Sequence, residues 1–173
     1  MKSAKVSLHK LHIRYVPKIF NSTLWVGNDP MWLPSSPHVE LMEIFLRYGF
    51  DTPRIFNSRY FKDRQYRNSV GLNWPDKKIL EHVKKRYGTF KSMKKGYDKN
   101  KCKTVPIVVL VEPFWKTRYN VNEEWLGGFE IWNGAGRCAA AYTWGDRDIP
   151  CVFVKDNKPE TMKSHLDKKL KGE

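Results

Sequence analysis

The sequence has few cysteines and no long apolar run, and both shortages exclude classes of protein. Its three cysteines, Cys102, Cys138 and Cys151, are an odd number at unrelated spacings. They therefore form neither a disulfide framework nor a zinc knuckle, and they favour a reducing compartment. The chain shows neither the uninterrupted apolar length of a membrane span nor the apolar region of a signal peptide. We expect a soluble, cytoplasmic protein that has no membrane partner.

Acidic residues are scarce as well, since 18 Asp and Glu oppose 32 Lys and Arg and leave a net charge of +14. A field of this sign and size favours a polyanionic partner. The aromatic share of 14% argues against a disordered basic tail and indicates a folded basic protein. A chain of 173 residues is long enough for one domain with a core of its own.

The sequence before residue 90 predicts one strand, from its apolar pattern, and three helices, from their capping signals and apolar spacing. The mixed pattern from Val6 to Val16 predicts a strand that Pro17 closes. Ser36 and Pro37 are typical of an N-cap and a first-turn proline, and they predict a helix that reaches Tyr48. Two further helices are predicted, one over Ser58–Asn68 and one that opens at Pro75–Asp76 and stops at Gly88.

Basic residues on and after these helices are candidates for binding nucleic acid. The second helix carries Arg59, Arg64 and Arg67 beside Tyr60, which suits a phosphate-reading surface and equally a solvated helix face. A strongly basic stretch begins further on; its candidates are Lys84, Lys85, Arg86, Lys91, Lys94 and Lys95. We favour contact with a nucleic-acid backbone over a purely solubilising role for this stretch. His82, beside the apolar face of the third helix, is expected to be packed rather than functional.

The most informative stretch predicts a strand, a glycine-rich turn, a short helix and a second strand. Phe129–Trp132 supplies strand formers, Asn133-Gly134 is a turn dipeptide, and Ala139–Ala141 favours a helix that Gly145 would cap. Ile149–Val154 then restarts an extended run. Because the first amides of a helix carry partial positive charge, phosphate is the natural ligand of such a turn, with Arg137 to clamp it. The apolar run Val105–Val111 predicts a buried strand before it.

This order resembles the signature turn of the ParB/sulfiredoxin superfamily, whose usual form is Asp-Gly-x-His-Arg-x-x-Ala-Ala. Asn133, Gly134 and Arg137 fall on the Asp, Gly and Arg positions, and the alanine positions are matched by Ala140 and Ala141. The resemblance implies a small α/β (α+β) domain, with a mixed sheet and packed helices, that binds a nucleotide through this turn. The chain departs from the pattern at Ala135, where sulfiredoxins carry their catalytic Cys, and at Gly136. Sulfiredoxin activity is therefore not expected.

The resemblance also implies how the chain is divided. We predict one domain whose core covers about residues 1–20 and 105–156. A helical, basic insertion would occupy residues 21–104, and a polar tail residues 157–173. Partition proteins are a poorer match than other members, because their helix-turn-helix domain has no room after the signature.

The predicted site combines a phosphate-binding turn with separate catalytic candidates. The turn residues are Asn133, Gly134, Ala135, Gly136, Arg137 and Cys138, of which Cys138 is interpreted as a core residue rather than a nucleophile. Glu112 and Glu130 could hold Mg²⁺ or take a proton, and Arg118 could neutralise developing charge. Glu130 could equally be a paired strand residue, and Arg118 a surface cation.

The leading hypothesis is a ParB/sulfiredoxin-like protein that acts on nucleic acid by phosphoryl transfer or hydrolysis, with ATP or CTP and Mg²⁺ as cofactors. A non-enzymatic DNA- or RNA-binding protein that grips a backbone phosphate is one alternative. A small-molecule kinase of the free-serine-kinase type is another.

Overall fold

A computed structural model of the protein describes residues 3–13, 31–67, 75–97, 106–110 and 129–154. Six strands are present among them: β1 (Ser3–Ser7), β2 (Leu11–Ile13), β3 (Met31–Trp32), β4 (Ile107–Leu110), β5 (Phe129–Asn133) and β6 (Asp148–Val154). The α-helices are α1 (Pro37–Tyr48), α2 (Arg54–Asn57), α3 (Arg59–Arg67), α4 (Asp76–Ser92) and α5 (Ala135–Thr143). Short 3₁₀ turns cover Leu8–Lys10, Leu33–Ser35 and Met93–Lys95. This is a mixed α+β fold, which confirms the predicted fold class.

The six strands form one mixed sheet in the order β1-β6-β4-β5-β2-β3. β4 lies between β6, to which it is parallel, and β5, to which it is antiparallel. The predicted strand is therefore confirmed over Ile107–Leu110, where the described side chain, Val108, is buried, and Val105 and Val111 lie outside the described residues. β2 runs parallel to β5 on the other side, with Leu11, His12 and Ile13 opposite Phe129, Glu130 and Ile131.

The main hydrophobic core joins one face of the sheet to the helices. Ile131 of β5 and Val108 of β4 belong to the same buried cluster as Leu41 of α1 and Ala140 of α5. Helices α1 to α4 lie between β3 and β4 in the chain, within the predicted insertion. They add Phe61 and Val83 to this core, and the 3₁₀ turn after α4 adds Met93. The helices of the insertion thus share their buried surface with the strands.

Helix α1 follows its sequence signals closely. The Ser36 hydroxyl accepts a hydrogen bond from the Val39 backbone N–H at 3.3 Å, as an N-cap residue does. Gly49 ends the helix with φ of 75°, a left-handed conformation that costs glycine little. The predicted second helix is likewise confirmed as α3.

Two predictions of element boundaries are wrong. The strand predicted over Val6–Val16 is broken by the 3₁₀ turn Leu8–Lys10, so that β1 pairs with β6 while β2 pairs with β5 and β3. The third helix does not stop at Gly88 but continues to Ser92. Phe90, one turn beyond Tyr87 and two turns beyond Val83, is buried in the core. The packing of that ring offsets the cost of about 1 kcal/mol for a glycine inside a helix.

Candidate phosphate-binding site

The turn between β5 and α5 is built around Gly134. Its backbone has φ of 106° and ψ of 14°, a left-handed conformation that L side chains rarely adopt. A Cβ at this position would lie 2.9 Å from Pro106 Cα and 2.9 Å from Arg137 Nη2. The turn therefore has no room for a side chain, because Pro106, the residue before β4, and the guanidinium of Arg137 lie directly against Gly134.

Helix α5 begins directly after this turn. The N–H groups of Arg137 and Cys138 both donate to the Gly134 carbonyl, at 2.9 and 3.0 Å. The N–H groups of Ala135 and Gly136 are the first two of the helix, which by geometry have no acceptor within it. The first turn of α5 contains no acidic residue, and the N-cap Gly134 supplies no side-chain cap. The predicted strand, turn and helix are thus confirmed, as is the left-handed Gly145 that follows the helix with φ of 90°.

A second arginine reaches the same helix start from the insertion. A Cβ on Gly136 would lie 3.0 Å from Arg86 Cδ and 3.1 Å from Arg86 Cζ, and it would overlap Arg86 Nη1. Gly136 is buried, and the side chain of Arg86 fills the space above it. The guanidinium groups of Arg86 and Arg137 therefore both lie against the first turn of α5. Sequence reasoning assigned these two arginines to separate sites.

Tyr60 of α3 fixes the position of Arg86. Arg86 Nε donates a hydrogen bond of 3.0 Å to the Tyr60 hydroxyl. The guanidinium of Arg64 lies over the Tyr60 ring, with Cζ 3.6 Å from the ring centroid, and Arg64 Nη1 donates to the Tyr60 carbonyl at 3.3 Å. Tyr60 is fully buried, so its ring supports Arg64 and its hydroxyl holds Arg86, and the ring does not stack on a ligand.

His82 lies among these cations. Partial burial lowers its pKa from the ordinary value of 6.5, and the positive charges of Arg64, Arg86, Lys85 and Lys78 lower the pKa further. The imidazole is half-buried rather than enclosed in the core. The expectation that His82 is packed is therefore met only in part, because it also faces a cluster of positive charge.

The other basic candidates have different surroundings. Arg59 is committed to α1: its backbone N–H donates to Glu40 Oε1 at 2.9 Å, Nε pairs with Glu40 Oε2, and Nη2 donates to the Ser35 carbonyl at 2.9 Å. Lys94 Nζ lies 5.7 Å from the Trp144 ring centroid, beyond the far end of α5. Lys84, Lys85, Lys91 and Lys95 are exposed. The backbone of Arg67 belongs to α3, and its side chain lies outside the described part.

The carboxylate predicted to act at the turn lies elsewhere. Glu130 is 1% exposed on β5, directly opposite His12 of β2, which is 2% exposed. Because successive strand residues alternate between faces, Glu130 and His12 lie on the face opposite Ile131 and the helices. His12 also meets Trp32 edge to face, with ring centroids 5.4 Å apart. Burial lowers the pKa of His12 to about 4, opposed by a hydrogen bond with the backbone of Ile13. Glu112 and Arg118 lie outside the described residues.

Cys138 does not have the character of a nucleophile. It is completely buried, and a hydrogen bond with Cys151 of β6, together with burial, raises the pKa of its thiol well above the ordinary value. This agrees with its interpretation as a core residue. Asn133, by contrast, is exposed at the end of β5.

Two grooves in the described structure lie away from the turn. One, of about 350 Å³, is lined by α1 and α2 residues that include Glu40, Arg47 and Arg54, and the other, of about 320 Å³, is lined mainly by Phe50–Phe56 and Leu80. Neither contains a residue of the turn. Within the described ranges, no group of three or more His, Cys, Asp or Glu is placed to hold a metal ion.

No protein family, curated protein or solved structure matches this chain. The resemblance to the ParB/sulfiredoxin turn therefore remains a prediction made from the residues Asn133 to Ala141. Among the described helices, none has both the length and the apolar character needed to span a membrane.

Proposed function

We propose that the turn Asn133–Cys138 binds a phosphate group of a nucleotide or nucleic acid, as in the ParB/sulfiredoxin superfamily that the turn resembles. The observation that carries this proposal is the meeting of Arg86 and Arg137 at the first turn of α5. Guanidinium groups bind phosphate oxygens in pairs of charge-assisted hydrogen bonds, and free helix amides add further donors.

Electrostatics supports an anion at this position. The N-terminus of a helix carries about half a positive charge, so acidic residues stabilise it and cations destabilise it. Here the first turn contains no acidic residue, and two guanidinium groups lie against it. A bound phosphate would offset this concentration of positive charge and would accept hydrogen bonds from the amides of Ala135 and Gly136.

Isothermal titration with ATP and with CTP, each with Mg²⁺, tests the proposal. We expect Arg137→Ala and Arg86→Ala each to weaken binding by about tenfold to a hundredfold, which corresponds to the loss of a charged hydrogen bond. Arg47→Ala is the matched control, since Arg47 is exposed on α1 and lines a groove away from the turn. No heat with any nucleotide or with inorganic phosphate, or equal affinity in all three variants, would contradict the proposal.

Binding without turnover is the second candidate function, and the position of Glu130 favours it. That carboxylate is buried on the face of the sheet opposite the helices, so phosphoryl transfer or hydrolysis at the turn would depend on Glu112 and Arg118. Measuring nucleotide hydrolysis by wild type, Glu112→Gln and Glu130→Gln separates the two candidates. Turnover that Glu112→Gln abolishes would support an enzymatic function. Retained nucleotide binding without turnover would support a function in binding alone.

A further inference from the structure

Helix α4 carries a strip of basic residues that continues from the turn. Lys78, His82, Lys85 and Arg86 recur at intervals of four, three and one residues, which places them on one side of the helix. The positive charges of Arg64, Arg86, Lys85 and Lys78 all lower the pKa of His82, so these groups lie near enough to act on its imidazole. We call these five residues, Arg64, Lys78, His82, Lys85 and Arg86, the basic strip.

The remaining cations of α4 lie on another side. Lys77, Lys84 and Lys91 are separated by seven residues, close to two helical turns, and are therefore aligned with one another. The buried residues Ile79, Val83 and Phe90 lie between this row and the basic strip. Lys91 Nζ is 4.8 Å from the centroid of the Tyr87 ring, on that second side. The basic run of the sequence thus divides into two rows, of which one borders the turn.

Arg86 joins the basic strip to the phosphate-binding turn. It belongs to the strip by its place on α4, and its guanidinium also lies over Gly136. At 1.5 Å per residue, the strip spans about 12 Å from Lys78 to Arg86, which is the length of roughly three nucleotides at 3.4 Å each. A single phosphate would occupy only the Arg86 end.

Acidic residues are few along helix α4. Between Asp76 and Lys95 there are eight Lys and Arg against two acids, Asp76 and Glu81. Asp76 accepts a hydrogen bond from Gln65 at 3.1 Å. Asp63 Oδ2 lies 4.0 Å from Arg64 Nη1 and is buried, so it offsets part of the charge of that arginine.

We propose that the basic strip binds the sugar-phosphate backbone of a nucleic-acid strand whose next phosphate lies at the turn. The substrate class of the site is therefore a polynucleotide rather than a free mononucleotide. This inference rests on the proposed function of the turn, and it adds Lys78 and His82 to the binding surface. Neither residue was selected from the sequence as a nucleic-acid contact.

Binding of 5′-phosphorylated oligothymidylates of one, two, four and eight nucleotides, measured at several KCl concentrations, tests the inference. We expect affinity to rise with length up to about four nucleotides. In Lys78→Glu/Lys85→Glu, we expect the octamer to bind at least about tenfold more weakly. The slope of log K against log salt concentration should be shallower by about 1.4, because two phosphate contacts are lost. The mononucleotide should bind within about twofold of wild type, since the turn is intact.

The matched control is Lys84→Glu/Lys91→Glu, which makes the same change of charge on the other row of exposed lysines. We expect it to lose far less octamer affinity, and circular dichroism checks that both variants fold. Equal losses of octamer affinity in the two variants, affinity that does not rise with length, or polyglutamate that competes as well as the octamer would overturn the inference.

Mononucleotide binding that Arg137→Ala removes would still support phosphate binding at the turn. Octamer binding that depends on Lys78 and Lys85 but not on Arg137 would support nucleic-acid binding by the basic strip and contradict phosphate binding at the turn.

Discussion

At the scale of single residues, the two glycines of the turn serve different purposes. Gly134 is required by backbone conformation, because its φ of 106° strains any L side chain. Gly136 has no such φ, and its small size instead leaves space for the side chain of Arg86. One glycine shapes the loop, and the other admits a charged group from a distant helix.

Gly136→Ala should therefore impair binding more than folding. The new methyl group would overlap Arg86 Nη1 and displace a flexible guanidinium, so we expect nucleotide affinity to fall about tenfold, as for a lost charged hydrogen bond. Gly88→Ala is the control, since nothing lies within 4 Å of its Cβ position. It should raise the free energy of unfolding by up to about 1 kcal/mol and leave affinity unchanged. Titration calorimetry and urea unfolding measure both effects, and wild-type affinity in Gly136→Ala would contradict this role of Arg86.

Cys138 should resist alkylation in the folded protein. Its thiol is buried and its pKa is raised by the hydrogen bond with Cys151 and by burial, so little thiolate is available to react. We expect iodoacetamide at pH 8 to modify Cys138 far more slowly in the native protein than in urea, as measured by mass spectrometry of its peptide. Rapid native labelling of Cys138 would show a reactive thiol at the start of α5.

At the scale of elements, local signals predicted what depends on local geometry. The cap at Ser36, the end of α1 at Tyr48 and the Asn133-Gly134 turn lie where the sequence predicts them, because capping and turn formation are properties of a few adjacent residues. The split of residues 6–13 into β1 and β2 was missed. Both pieces have strand-like composition, and the 3₁₀ turn between them lets each pair with a different neighbour in the sheet.

The pairing of β2 with β5 predicts a pH-dependent stability. His12 has a pKa of about 4 in the fold and about 6.5 when unfolded, so the unfolded state binds the extra proton between these values. Neutral His12 contributes about 3 kcal/mol to the free energy of unfolding. This contribution is complete above pH 6.5 and is lost as pH falls to about 4.

Urea unfolding of wild type and His12→Gln between pH 7.5 and 4.5 measures this contribution as a difference between the two curves. We expect the curves to converge as pH falls, since the variant lacks the titrating group. An NMR titration of the His12 imidazole in the wild type gives the pKa directly. A midpoint near 6.5, with parallel stability curves, would contradict burial of a neutral His12.

At the scale of the whole molecule, the contact between Arg86 and Gly136 joins residues fifty positions apart. No local pattern connects them, because the contact depends on how α4 packs against α5. The composition did indicate a basic surface and the turn did indicate a phosphate, so both halves of the candidate site were predicted. Their junction, and the division of the basic run into two rows, required the packed helices.

The two guanidinium groups at the start of α5, in a chain of net charge +14, predict a specific stabilisation by phosphate. A ligand at a hundred times its Kd adds about 2.7 kcal/mol to the free energy of unfolding, which for a chain of this size raises Tm by roughly 5–10 °C. We expect phosphate to raise Tm more than chloride at the same ionic strength, as measured by differential scanning calorimetry. Arg137→Ala should lose the difference between the two anions, and an unchanged difference would place the anion elsewhere.

Helix α5 is held against α4 at both of its ends. Arg86 lies over Gly136 at the start, while Trp144, just past the end, stacks on Phe90 with ring centroids 4.4 Å apart and donates Nε1–H to the Phe90 carbonyl at 2.7 Å. A helix fixed twice has little freedom to reorient when an anion arrives. Association should therefore be a single step whose observed rate rises linearly with ligand concentration, without the plateau that a slow closure would impose.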